Sequence, residues 1–402
     1  MYLLAPMMSK RLKKTKFFKT VDRNYYYLIA FWFGWKIVAL FVAFLGIVFF
    51  NSHLRDHTFV ENIYRLWNWW DGGFFNGIAA TGYSEPGSGP HLVLVRTAFF
   101  PLLPALIRLL SNILKDNIVL AQYLVANLSY LTWIILFYYF LKNFIYQKKP
   151  KIALNACILA IVFPYSLFFM AGYSESLFMV WVMLFFIMLY RKKYLLAALF
   201  IAFASITRFA GLGLLLLLLV DIIISNKKIL SKLIYSFSSA IISLSLVSIY
   251  SIYLQVVFGK WNWFFIAEES WGRKFAFNFL AKYYQLIKNN LILTDHYSIL
   301  FANDLFNLFF LLLALVVGTY CLVRYQKFLY FGLFILLMLA PAIFGGLLLS
   351  MARFTIVCFP VYFIIAELME NKSIPLAFLA SPASSIQAIL IIAFTSANKF
   401  IG

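Results

Sequence analysis

Long apolar runs separated by short polar clusters set the pattern of this chain. Apolar segments fall at about residues 26–50, 117–141, 152–170, 175–190, 194–207, 209–224, 232–258, 304–323, 328–346, 353–369 and 374–395. Several match or exceed the ~20 residues that a helix needs to cross a bilayer's hydrocarbon core. A segment in lipid must satisfy its own backbone N–H and C=O groups, so runs of this kind imply helices. The expected fold is therefore an all-α polytopic membrane protein with about 11 spans. A further apolar segment, 98–113, is short and contains Pro101 and Pro104. It is expected to be re-entrant or interfacial, because a broken segment is tolerated where protein or a cavity covers its backbone. From Thr58 to Trp70, the residues Phe59, Ile63, Leu66, Trp67 and Trp70 recur at helical spacing. That stretch predicts an amphipathic helix with its tryptophans at the headgroup level.

Composition sharpens this picture. Hydrophobic residues make up 64% of the 402 and charged residues 12%, whereas a soluble domain is nearer half apolar and a quarter charged. No soluble domain fits between the segments. The net charge of +20 needs no nucleic acid, since basic residues flanking spans on the cytoplasmic side account for it. Cys157, Cys321 and Cys358 all lie inside apolar runs without CxxC spacing and read as small buried hydrophobes. The basic N-terminus precedes an apolar run too long for a cleaved signal, so it reads as a retained first span. The organisation expected is a cytoplasmic basic N-terminus over 1–25 and one transmembrane domain over 26–402. Within that domain, 51–97 and 259–303 form two large outer loops.

Lysine and arginine bias orients the chain. The clusters at Lys10 to Arg23, Lys148 to Lys151, Arg191 to Lys193, Lys227 to Lys232, Arg324 with Lys327, and Lys372 share one side if 98–113 does not cross. That side is the cytoplasm, which also holds Asp22, Asp221, Glu367 and Glu370. The opposite side then collects 10 of the 14 acids. It also collects the polar-aromatic motifs Trp70-Asp71-Gly72-Gly73, Tyr173-Ser174-Glu175-Ser176, Thr207-Arg208-Phe209, Trp271-Gly272-Arg273 and Met351-Ala352-Arg353-Phe354. Acids and motifs played no part in setting the orientation, so their clustering points independently to an extracytoplasmic chemical site.

Each candidate has a plainer reading. Asp71 could cap the helix after it, and Glu175 could be a first-turn acid favoured by the helix dipole. Glu85 reads as a solvated loop acid. Arg208 joins two short apolar segments, where a charge is costly unless it meets a cavity or a partner; snorkelling to the interface is the alternative. Arg353 and Arg273 face the same choice. The four histidines (His53, His57, His91, His296) lack metal-ligand spacing and the outer loops lack a paired-acid motif, so no metal and no cofactor are expected.

The pattern Trp70-Asp71, Ile78-Ala79, Gly82-Tyr83 and Ala98-Phe99-Phe100-Pro101-Leu102 resembles the PIG-V-type mannosyltransferases. Phe163-Pro164-Tyr165-Ser166 with Tyr173-Ser174-Glu175-Ser176-Leu177-Phe178 resembles the family's second signature. Thr207-Arg208-Phe209-Ala210-Gly211 stands where the family has an arginine-centred turn, and the motifs around Arg273 and Arg353 are similar to late patterns of bacterial relatives. The resemblance implies a GT-C-like helix bundle. It also implies a polyprenyl-phosphate sugar as donor, mannose as the sugar, inversion at the anomeric carbon and action on the extracytoplasmic face. Asp71 is the position matching the family's essential outer-loop acid.

Such chemistry requires a base for the acceptor hydroxyl and a cation for the departing phosphate, for which the arginine fork is suited. Asp71 is the candidate base. Trp70, Tyr173, Ser174, Glu175, Arg208, Arg273 and Arg353 are candidates for substrate binding. The partners expected are the lipid-linked donor, an acceptor that the sequence does not identify (glycolipid, glycan or protein) and the bilayer. A transporter or lipid flippase is the alternative, and a non-catalytic scaffold a third. A transporter would be expected to show repeats and paired broken helices bearing midplane charge, and the chain shows neither.

Overall fold

A computed structural model describes residues 22–50, 58–83, 94–274, 299–324, 328–345 and 350–396, with Leu348 and a few isolated residues between 278 and 288. Among the described residues every regular element is helical. Five helices are long and apolar enough to cross a membrane, or six if one bent pair is a single span; five more apolar helices are shorter, at 10–17 residues. The all-α membrane architecture therefore stands, with five or six helices of crossing length in place of the eleven spans expected. Glu85, the four histidines, Lys327 and the basic stretch from Lys10 to Lys19 lie outside the described residues.

The helices follow the hydrophobic segments closely. Helix α1 spans Arg23–Phe50, about 42 Å at 1.5 Å per residue. The first loop contributes α2 (Phe59–Arg65) and α3 (Asp71–Thr81), then α4 (Leu102–Ile113). Next come α5 (Ile118–Phe140), α6 (Pro150–Val162), α7 (Glu175–Tyr190), α8 (Tyr194–Thr207), α9 (Gly213–Ile224) and α10 (Ile229–Phe258). After the short α11 (Trp263–Glu268) follow α12 (Ile299–Val323), α13 (Leu329–Phe344), α14 (Met351–Thr355), α15 (Pro360–Asn371) and α16 (Ala377–Thr395).

Three features depart from the expected elements, one being that the segment 353–369 is split between α14 and α15. The helix foreseen over Thr58 to Trp70 stops at Arg65. Thr58 and Glu61 form a capping box at its start, but Trp67 turns into the core, where it is buried and stacks on Phe394. Burial against a second apolar helix outweighs the headgroup position for this tryptophan. Trp70 is exposed. The segment 152–170 is bent by 70° between Pro150–Val162 and Pro164–Met170. Phe163, held in an extended conformation ahead of Pro164, makes the break, as residues before proline avoid the α region. The break at Pro164 to Ser166 is covered by protein, the condition under which non-helical backbone is tolerated at membrane depth.

Ion pairs tie one end of the bundle together. Lys142 meets Asp22 at 2.6 Å, Lys192 meets Asp221 at 2.6 Å, Arg324 meets Glu367 at 3.1 Å and Lys151 meets Glu370 at 3.0 Å. Tyr146, one turn beyond Lys142, donates to Glu367, and Arg191 donates to Tyr139. Hence residues around 22, 138–151, 191, 324 and 367–370 share an end, and Asp221 joins them through Lys192. These are the four acids that charge counting groups with the basic clusters.

Candidate active site

The loop before α3 and the loop before α7 are stapled to each other. Gly172 N–H donates to the Trp67 carbonyl at 2.9 Å, and Tyr173 O–H donates to the Trp69 carbonyl at 3.0 Å. Buried Gln122, one turn into α5, donates its amide N–H groups to the carbonyls of Gly72 (3.0 Å) and Gly172 (2.5 Å). A Cβ on Gly172 would stand 2.5 Å from the Gln122 amide, so only glycine leaves room for that side chain. Asn127, on the same helix, donates to the Met170 carbonyl. Apart from the Gly72 carbonyl, which lies in the first turn of α3, these bonds serve loop and helix-end backbone groups, as buried loops require.

Asp71 opens α3, and the preceding Trp70 sits at φ 57°, ψ −122°. That is a strained conformation for a side chain of this size. No side-chain cap bond starts this helix; Asp71 lies in the first turn and points elsewhere. Its Oδ2 accepts from Arg353 Nη1 at 2.5 Å. Arg353 Nε donates to Glu175 Oε1, also at 2.5 Å. Glu175 opens α7 and is buried, with its side chain 1% exposed, against 27% for Asp71. Arg208 Nη1 meets the same Oε1 at 2.8 Å and donates to Ser174 Oγ at 3.1 Å. Two carboxylates and two guanidinium groups thus form one chain, Asp71–Arg353–Glu175–Arg208, with formal charges that cancel. Burying such a set is costly unless every member is paired and hydrogen-bonded.

The arginines are held by rings and turns. The Arg353 guanidinium lies 4.3 Å from the centre of the Tyr173 ring and 5.2 Å from that of Phe168, favourable cation–π geometry. Its helix, α14, follows Ser350 at φ 59° and is anchored by Asn307 of α12, whose Oδ1 accepts from Ala352 N–H at 2.7 Å. Arg208 lies in the extended break after α8. Gly211 closes that turn against α8, and a Cβ there would come within 2.5 Å of the backbone of Ala204 and Ser205. Arg208 and Arg273 both approach the Phe354 ring, at 5.6 and 5.0 Å, and Arg273 pairs with Glu268 at 2.9 Å.

Of the residues singled out in the sequence, Asp71, Tyr173, Ser174, Glu175, Arg208 and Arg353 come together in direct contact. Arg273 joins them at one remove through Phe354, and Trp70 contributes backbone strain beside Asp71. Arg353 does not snorkel: its side chain is 11% exposed. Gln122 and Asn307 complete the arrangement and escaped notice in the sequence. The signal was present, because each is a carboxamide inside a long apolar run, but amides also settle such positions for packing alone.

A helical membrane bundle here gathers acids, arginines and aromatic faces in one cluster. Residues 50–220 match the family model described as Mannosyltransferase (PIG-V), and the resemblance read from the motifs holds over that stretch. It contains Asp71, Glu175 and Arg208, whereas Arg273 and Arg353 lie beyond it. The family supports glycosyltransferase activity and implies a sugar donor and an acceptor. No curated protein matches the chain.

Proposed function

We propose that the protein is an inverting glycosyltransferase that moves mannose from a polyprenyl-phosphate donor to an acceptor hydroxyl at the extracytoplasmic face, with its N-terminus in the cytoplasm. The observation that supports this most is the chain Asp71–Arg353–Glu175–Arg208, in which the two carboxylates have unequal surroundings. Glu175 is buried and held by both arginines. Asp71 is the more accessible; Arg353 holds its Oδ2, and no hydrogen bond occupies its Oδ1 among the described residues. One oriented carboxylate suffices for single displacement, whereas a retaining route would call for a nucleophile as well.

In this scheme Asp71 Oδ1 takes the proton of the acceptor hydroxyl. The hydroxyl oxygen bonds to the anomeric carbon from the face opposite the phosphate. The bond from that carbon to the phosphate oxygen breaks, its electron pair leaves with the phosphate, and the anomeric configuration inverts. Arg208 uses only Nη1 for Ser174 and Glu175, so its remaining N–H groups serve the charge that grows on the leaving phosphate. Arg273 adds a second cation across Phe354. Fixed charges of this kind act more strongly in a partly buried site than in water. A lipid monophosphate leaving group held by arginine calls for no metal or organic cofactor, and the donor itself is the only co-substrate.

The deciding experiment supplies radiolabelled polyprenyl-phosphate-mannose to membranes with and without this protein and identifies the labelled product. Label in a product that appears only with the protein supports the proposal. Labelling no different from that of empty membranes, across glycolipid, glycan and protein fractions, overturns it.

A further inference from the structure

Lys36 lies near the middle of α1, on its buried stripe between Trp32 and Ala39. Residues 28, 32, 36, 39 and 43 of that stripe recur at the three- and four-residue spacing of one helix face. A lysine therefore stands where the pattern calls for an apolar side chain. Among the described residues its ammonium has no hydrogen-bond partner and pairs with no carboxylate. It lies instead 4.7 Å from the centre of the Trp67 ring and 4.9 Å from that of Tyr123. An unpaired ammonium inside an apolar bundle is costly and marks function by default. Two ring faces supply the attraction that holds it there.

The two rings belong to the elements that build the site. Trp67 begins the turn leading to Asp71, and its carbonyl accepts from Gly172 N–H. Tyr123 follows Gln122, whose amide binds Gly72 and Gly172. The turn from Trp67 to Gly72 thus has polar staples to the 172–173 loop and an ammonium against its first side chain.

We infer that Lys36 is a positioning residue: clasped between Trp67 and Tyr123, its charge fixes the turn that aims Asp71. The inference rests on the reading of Asp71 as the base. It separates from packing in a definite way. A methionine fills nearly the same volume and keeps the apolar contacts, but it loses the cation–π attraction.

The test compares Lys36→Met and Lys36→Arg with the parent protein in two measurements. The first needs no activity. In an Asp71→Cys background, the rate of modification by a membrane-impermeant methanethiosulfonate reagent reports how residue 71 is presented; the three native cysteines are buried. Adding Lys36→Met should change that rate about fivefold or more, while Lys36→Arg, which keeps the cation, should stay within about twofold. The second is sugar transfer with Asp71 intact. Lys36→Met should lower kcat about tenfold with the donor KM within about twofold, and Lys36→Arg should restore most of it. Unchanged labelling and unchanged kcat in Lys36→Met overturn the inference, as does equal loss in both variants. Where Lys36→Met does not accumulate as folded protein, Tyr123→Leu, which removes one face of the clasp, is labelled in the same way, and an unaltered rate overturns the inference. Should Asp71→Asn retain full transfer, the role given to Asp71 fails, and the cysteine labelling still decides the clasp.

Discussion

The two ends of the bundle use charge differently. At the basic end, four acids each take a lysine or arginine partner, and the cations remain open to water; Lys151 is 70% exposed. At the other end, two acids share Arg353, one of them also holds Arg208, and the set is sunk among aromatic rings. Water-exposed pairs such as Lys151–Glu370 contribute little to stability, whereas Asp221 is itself buried beside Lys192 and Tyr330. Buried networks of the second kind are strong only when complete. The basic end fastens helices, whereas the other end keeps its charges from being screened by water, as the proposed chemistry on a charged leaving group would require.

Substitutions at both ends test this contrast. Asp71→Asn keeps the shape of the side chain and removes the proposed base, so transfer should fall about 10²- to 10⁴-fold in kcat, with the melting temperature in detergent little changed. Full activity in Asp71→Asn would remove that acid from the mechanism. Arg353→Met leaves Asp71 without its cation and Glu175 with Arg208 alone, and should lower stability by about 3–5 kcal/mol, read as reduced folded yield or melting temperature. Arg353→Lys should rescue it poorly, because one ammonium cannot reproduce the two-directional fork. Gln122→Leu leaves the Gly172 carbonyl without its partner and removes the tie to Gly72, at about 1–3 kcal/mol, and should lower kcat along with melting temperature because both loops move. Lys151→Ala, at the basic end, should shift stability by less than about 1 kcal/mol and leave transfer untouched. A large loss from Lys151→Ala, or none from Arg353→Met, would erase the contrast between the ends.

Much of this was legible in the chain. Most of the hydrophobic segments mark helices to within a few residues, because backbone satisfaction in lipid favours helix; 152–170 and 353–369 are each broken in two. The grouping of Asp22, Asp221, Glu367 and Glu370 with the basic clusters follows from charge alone, and each of the four acids is paired in the structure. Asp71, Glu175, Arg208 and Arg353 could be singled out because charges are rare in so apolar a chain. Trp67 was misread as interfacial, since periodicity reports which residues share a face and not which neighbour covers it. The bend at Pro164 could be read from the Phe-Pro pair, but its 70° size could not.

The order of apolar and polar stretches by itself determined a helical membrane protein with its rare acids and arginines at segment ends, because burial and backbone hydrogen bonding act locally along the chain. Only the tertiary structure decided that Arg353 reaches both Asp71 and Glu175, that Gln122 binds two glycine turns 100 residues apart, and that Lys36 lies against Trp67. Those pairings depend on how helices pack across long separations, where spacing along the chain carries no information about direction or distance.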